Sequence, residues 1–303
     1  VFEHKTVAAL AAMASDVSDD AGLRELPGGA VGSIPLSPIM HAMLERGPVD
    51  RFGQAALVEL PDAAGRDELV RTLRAVLDRH DILRATLVDD LADQPHVVVR
   101  PPGAVDADEA LEHVWLDRRD ADEIDRHLQA AADRLDPRAG VLVRFVWMQH
   151  PGRTAPDLMW MVIHHLAVDG VSWRILLADL VTAWHQIRGG AVPDLGLPTT
   201  SVRRWVHGLV EQAPVRTAAE LDRWTEILEP GDRLLGRRAL DPDRDIVATA
   251  GRIRMRIPAD VTEAALTTIP ARFHGGANDS LLAALALTQT QDPKTIQRFF
   301  LEY

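Results

Sequence analysis

The sequence predicts an α/β or α+β body, on three observations. Two near-continuous apolar runs, residues 141–148 and 158–163, read as buried strands. Between residues 65 and 80, Leu69, Leu73, Val76 and Leu77 fall on one helical face, with Asp67, Glu68, Arg71 and Arg74 elsewhere. Residues 157–187 then pass from an apolar run through a polar loop into the amphipathic run 172–187, in the order strand, loop, helix. Strands mixed with helices over a buried sheet define this class. At 303 residues the chain suits two lobes and can bury a substantial core.

In chain order, residues 1–13 show helical spacing at Val7, Leu10 and Ala11, yet one short helix cannot bury its own apolar stripe. They read either as a terminal helix docked on the main body or as the last helix of a preceding domain. Residues 15–32, acidic and then Pro/Gly-rich with no apolar period, read as a linker and favour the second. At 34–46, Pro35 and Pro38 end a strand-like lead-in and a short helix starts at Ile39. Residues 55–60 are a strand broken by Pro61. After helix 65–80, residues 82–88 and 96–100 are short strands, and helical patterns cover 109–115 and 120–135.

Beyond the central strands and helix, the Gly/Pro-bearing segment 189–198 is a lobe boundary. Residues 201–209 and 218–228 read as helices anchored by Trp205 and Trp224. Residues 249–257 alternate as a strand, Ile253, Met255 and Ile257 against Arg252, Arg254 and Arg256. A helix starts at Pro258 and runs through Ile269, and Asn278 or Asp279 caps a last one over 280–287. Residues 288–303 break in composition, with Lys294, a Phe pair and the only tyrosine, Tyr303.

A net charge of −12 argues against a general nucleic-acid binder, which draws on clustered Lys and Arg. The absence of cysteine excludes disulfides, thiolate metal sites and thiol nucleophiles. No apolar stretch is long enough to span a bilayer and the N-terminus lacks a secretory pattern, so cytoplasm is the expected compartment.

The chemistry concentrates at His164, His165, Asp169 and Gly170. Along an extended strand, adjacent side chains point to opposite faces, so the two histidines do not ligate one metal without a bend. One imidazole can face the core, bonded to backbone, while the other faces a cavity. A histidine accepts and returns a proton near neutral pH, its unperturbed pKa being about 6.5. Asp169 either orients it or holds the loop, and Gly170 permits a tight turn before the helix. A buried Asp169 would need a cation, for which Arg84 inside an Ile/Leu run is the candidate. Ser172 lacks a G-x-S-x-G elbow, and no phosphate-cradling Gly-rich loop occurs. The residues alone lead to His-dependent acyl or proton transfer.

The segment HHLAVDG, 164–170, resembles the HHxxxDG signature of condensation-type domains of nonribosomal peptide synthetases, within the chloramphenicol-acetyltransferase-like superfamily. Its continuation VSWRILLADL, 171–180, is similar to the epimerization subtype. PLSPIM at 35–40, RHDILRATL at 79–87, LPTTSVRRWVHGL at 197–209 and NDSLLAALAL at 278–287 resemble further landmarks in the family's order, though Met40 stands where Gln is usual. Residues 1–11 look like the last helix of a carrier-protein domain, with Lys5 where Pro is usual.

The resemblance covers about 32–288. It implies α/β two-layer sandwich lobes forming a V with a tunnel at their junction, the second lobe being incomplete. The implied organisation is a carrier-domain helix at 1–13, a linker at 14–31, an N-terminal lobe at 32–190 and a partial C-terminal lobe at 191–303. His165 carries over as the catalytic histidine. His164, Asp169 and Arg84 carry over as structural members, with Asp169 paired to Arg84. Gly170, Ser172 and Trp173 are placed at the substrate tunnel. No metal or cofactor is expected in the domain itself. Substrate would arrive as an aminoacyl or peptidyl thioester on the 4'-phosphopantetheine of a carrier protein, with neighbouring synthetase modules as partners.

Epimerization removes the Cα proton from one face and returns one to the other, so it wants two groups. The family's second group is a glutamate in a Glu-Gly-His-Gly-Arg type segment, and no such segment occurs in the 303 residues; His274 to Gly276 has no such glutamate. The resemblance therefore implies a truncated epimerization domain that, alone, lacks efficient epimerase activity. Peptide-bond-forming condensation and a non-catalytic docking or remnant module are the alternatives.

Overall fold

The computed structural model describes residues 23–89, 94–116, 120–150, 156–196, 200–229, 238–241, 243–251 and 253–289. The expected helix at 1–13, most of the linker and the tail beyond 289 lie outside them. The chain divides into two compact units, Val1–Leu221 and Asp222–Tyr303. No described helix is long and apolar enough to cross a membrane.

The first unit is a mixed α/β body, as expected. Strands β1 (Gly32–Pro35), β3 (Ala85–Val88) and β4 (His96–Val99) form an antiparallel sheet in the order β1-β4-β3. Strands β2 (Gly53–Glu59), β5 (Leu111–Trp115), β6 (Val143–Gln149) and β7 (Leu158–His164) form a second sheet in the order β2-β7-β6-β5. In it only the β5–β6 pair is parallel. Helix α1 (Pro38–Leu44) buries Met40 and Met43.

Both faces of the second sheet are covered, which is why β7 reads as an unbroken apolar run rather than an alternation. Met159, Met161 and Ile163 join the main core with Leu69, Leu73 and Leu77 of α2 (Arg66–Arg79). Residues on the opposite face, Leu158 and Val162, pack with Ala131 of α4 (Ala121–Ala132). The α2 helix starts as its sequence dictates. Its acidic first turn complements the helix dipole, and Glu68 Oε2 accepts the Gly65 N–H at 3.3 Å. Glu68 also pairs with Arg188 at the end of α5 (Ser172–Arg188), which packs against α2. In α4, Asp120 accepts the Glu123 N–H at 2.8 Å, a side-chain N-cap.

One expected helix is a strand. Residues 109–115 show helical spacing, but the helix α3 (Ala107–Ala110) stops after one turn and β5 follows, in parallel register with β6. The neighbouring strand outweighs local periodicity here, because pairing satisfies a whole row of backbone groups. The α4 crossover between β5 and β6 completes a βαβ unit.

The two helices expected over 201–228 are one, α6 (Val202–Leu228), with Pro214 inside it. Pro214 removes one backbone donor without ending the helix. Ser201 caps its start, its Oγ accepting the Arg204 N–H at 2.9 Å. In the second unit, α7 (Ala259–Glu263), a π-turn (Ala264–Thr268) and α8 (Ile269–Phe273) run on continuously. The wide turn falls just before Pro270, which cannot donate to the preceding turn. In α9 (Ala277–Gln289), Asp279 accepts the Gly276 N–H at 2.6 Å.

Among its described residues, the strand expected over 249–257 does not form. Thr249 closes a short 3₁₀ turn, and Ile253 and Met255 are 89% and 78% exposed. Alternation marks a strand only where a neighbour supplies hydrogen bonds, and none of the described segments pairs with this one.

Candidate active site

The site grows from the end of β7. Register places His164 opposite Gly53, and the ladder continues one residue further, the His165 N–H donating to the Phe52 carbonyl at 2.8 Å. Gly53 is a close-approach glycine, since a Cβ there would sit 2.9 Å from the Ile163 carbonyl oxygen.

Strand alternation sends the two imidazoles to opposite sides. His164 is fully buried. Its Nε2–H donates to the Val49 carbonyl at 2.8 Å, and its Nδ1 accepts the Leu166 N–H at 3.1 Å. Burial is the main force pushing its pKa below the usual histidine value, only partly opposed by the Val49 bond. His165 is half-buried and lines a cavity of about 390 Å³. Its ring stacks on Phe52, centroids 4.9 Å apart at 17°, and its Nε2 lies 3.2 Å from Gln54 Nε2. The division between a core imidazole and a cavity imidazole is the one expected.

Asp169 holds the loop. Its Oδ1 accepts the Val171 N–H at 3.0 Å, the Ser172 N–H at 2.8 Å and the Ser172 hydroxyl at 2.7 Å. Ser172 Oγ accepts the Asp169 N–H in return. The bonds from Ser172 hold the Asp169 carboxyl below the usual carboxylate range, with Val171 and the nearby His165 acting the same way. Gly170 is not in the left-handed region and a Cβ there would meet nothing within 4 Å. The turn is therefore shaped by the Asp169–Ser172 exchange and does not require a glycine.

The expected Asp169–Arg84 pair does not form. Arg84 is buried, as an arginine inside an apolar run implies, but it faces the C-terminal end of α2. It donates to the carbonyls of Leu77, Asp78 (2.8 Å) and Arg100 (3.2 Å). The Leu77 and Asp78 carbonyls carry the negative end of the helix dipole, so the guanidinium is satisfied there without a carboxylate partner. Burial lowers the Arg84 pKa, and Asp78 and Asp81 oppose it.

Ser172 lines the cavity, whereas Trp173 packs on the core edge and donates from Nε1 to Gln54 Oε1 at 2.8 Å. The cavity's other polar lining includes His80, whose Nε2 lies 2.7 Å from Asp179 Oδ2. The sequence reading missed Gln54, and it quoted the segments holding His80 and Asp179 without singling out either residue. Gln54 lies just before the strand segment recognised there, and the His80–Asp179 contact spans 99 positions with no local signature.

Burial also lowers the His80 pKa, with Asp179 opposing it. Both His164 and His80 thus bind protons more readily in the unfolded chain. Their contribution to stability is present above the unfolded value of about 6.5 and is lost as pH falls towards their own lower values. Urea unfolding should give a lower midpoint at about pH 5.5 than at about pH 7.5. A midpoint that is flat or rising towards acid would contradict both assignments.

Residues 38–291 match the family described as Condensation domain, and the chain belongs to that family. Chondramide synthase cmdD of Chondromyces crocatus is 32% identical over 302 residues, covering 95% of this chain and 7% of that protein. The epimerization domain from the third module of tyrocidine synthetase B superposes with a TM-score of 0.68 at 24% identity, over 86% of this chain and 59% of that one. The X-domain from teicoplanin biosynthesis gives 0.69 at 20%, over 85% and 57%. At these identities the structural likeness is one of fold.

Proposed function

We propose that His165 transfers the Cα proton of an aminoacyl or peptidyl thioester, the epimerization branch of this family's chemistry. The substrate is carried on the 4'-phosphopantetheine of a carrier-protein domain, and neighbouring synthetase modules are the further partners. The observation that carries the reading is the half-buried His165 ring at a cavity lined otherwise mostly by apolar groups such as Leu83, Leu166 and Leu176. A thioester carbonyl makes the Cα–H acidic, because the electron pair left behind spreads onto oxygen as an enolate. An imidazole, which can accept and return a proton, is matched to that transfer. The VSWRILLADL continuation favours this branch over condensation.

Gly170 and Ser172 are read as flanking the path of the thioester. Epimerization is a two-sided transfer, and His165 is assigned one side of it. Incubated with an L-aminoacyl carrier protein in D2O, the chain should place deuterium at Cα while forming the D isomer inefficiently. Intact mass and chiral analysis of the released amino acid read the two results. A dipeptidyl carrier on adding an acceptor, with no exchange, would establish condensation instead. Carrier binding with neither reaction would leave a docking module.

A further inference from the structure

We propose that Gln54 is a positioning residue: anchored by Trp173, it fixes His165 as the Nδ1–H tautomer, with Nε2 as the proton-accepting nitrogen. The inference rests on the reading of His165 as the proton-transfer group. An indole N–H only donates, so the Gln54 atom facing Trp173 Nε1 at 2.8 Å is its oxygen. The amide NH2 is thereby turned to His165 Nε2 at 3.2 Å, and a donor there requires a lone pair on the ring nitrogen. A neutral imidazole carries one N–H, which is then on Nδ1. Stacking on Phe52 holds the ring plane in which this contact lies. The neighbouring His164 is the opposite tautomer, donating from Nε2 to Val49 and accepting at Nδ1 from Leu166.

The arrangement constrains the reaction. When the Cα–H bond breaks, its electron pair stays on the substrate as the enolate and its proton goes to Nε2. The Gln54 N–H must give up that lone pair, and the amide cannot offer its oxygen to the new N–H without releasing Trp173. The imidazolium is thus left facing a donor, which makes it readier to release the proton, to solvent or to the substrate.

Ring-proton to nitrogen-15 correlation spectra of the full chain with labelled histidine test this directly, the His165 signals being assigned by their loss in His165→Ala. The unaltered chain should show His165 as Nδ1–H and His164 as Nε2–H. Gln54→Glu presents only acceptors, so His165 should switch to Nε2–H while the His164 pattern stays and reports an intact fold. Trp173→Phe frees the amide to rotate and should give a mixture, which keeps the test open if Gln54→Glu misfolds. An Nε2–H pattern for His165 in the unaltered chain, or an unchanged pattern in both variants, overturns the proposal. Where Cα exchange is present, Gln54→Glu should slow it about tenfold, the cost of one orienting hydrogen bond. The spectra need no turnover: the expected tautomer without exchange sinks the epimerase reading alone, and exchange with the wrong tautomer sinks the role of Gln54 alone.

Discussion

Replacing Arg84 by methionine should destabilise the first unit by about 3–5 kcal/mol. Methionine fills much of the same volume, so the loss comes from hydrogen bonding. The Leu77 carbonyl loses its donor in the interior, where water does not replace it, and the partly buried Asp78 and Arg100 carbonyls lose theirs as well. Arg84→Lys should recover only part, since one ammonium cannot reproduce the spread of the guanidinium fork. Urea unfolding at neutral pH measures both, read from midpoints at constant slope. A double-mutant cycle with Asp169→Asn discriminates further. Asp169 bonds within its own loop, so its coupling energy with Arg84 should lie within about 0.5 kcal/mol of zero. A coupling of several kcal/mol would restore the direct pair that the sequence led us to expect.

That failed pair marks where the sequence stops being legible. Features set by a single element could be read. The α2 face is a run of apolar residues at helical spacing, and β7 is apolar up to its last residue, His164, because helices cover both sides of its sheet. The opposite facing of His164 and His165 follows from strand alternation alone. What could not be read depends on distant elements. Residues 111–115 have helical spacing and become a strand because β6 lies alongside. Residues 253–257 alternate and stay irregular because none of the described strands lies beside them. Asp169 and Arg84 each had a nearer partner, a helix start for one and a helix end for the other. The Gln54 contact with His165 spans 111 positions and depends on β2 pairing with β7.

The adjacent histidines should separate stability from chemistry. His164→Ala removes a fully buried ring, opens a cavity and leaves the Val49 carbonyl and the Leu166 N–H without their partner. It should cost about 3–5 kcal/mol of stability. His165→Ala removes a half-buried ring whose contacts are a stack on Phe52 and one amide bond, and should cost about 1 kcal/mol or less. The order reverses for Cα exchange on a carrier-bound thioester. There His165→Ala should lose roughly 10²–10⁴-fold, the usual contribution of a general base. At temperatures where His164→Ala remains folded, its exchange rate per folded molecule should stay within about tenfold of the unaltered chain. Equal exchange in His165→Ala and the unaltered chain would remove this ring from the chemistry, while a large stability loss on its removal would make it a second structural histidine. Strand alternation allows one imidazole to be spent on the core and leaves its neighbour at the cavity, and the two substitutions measure that division separately.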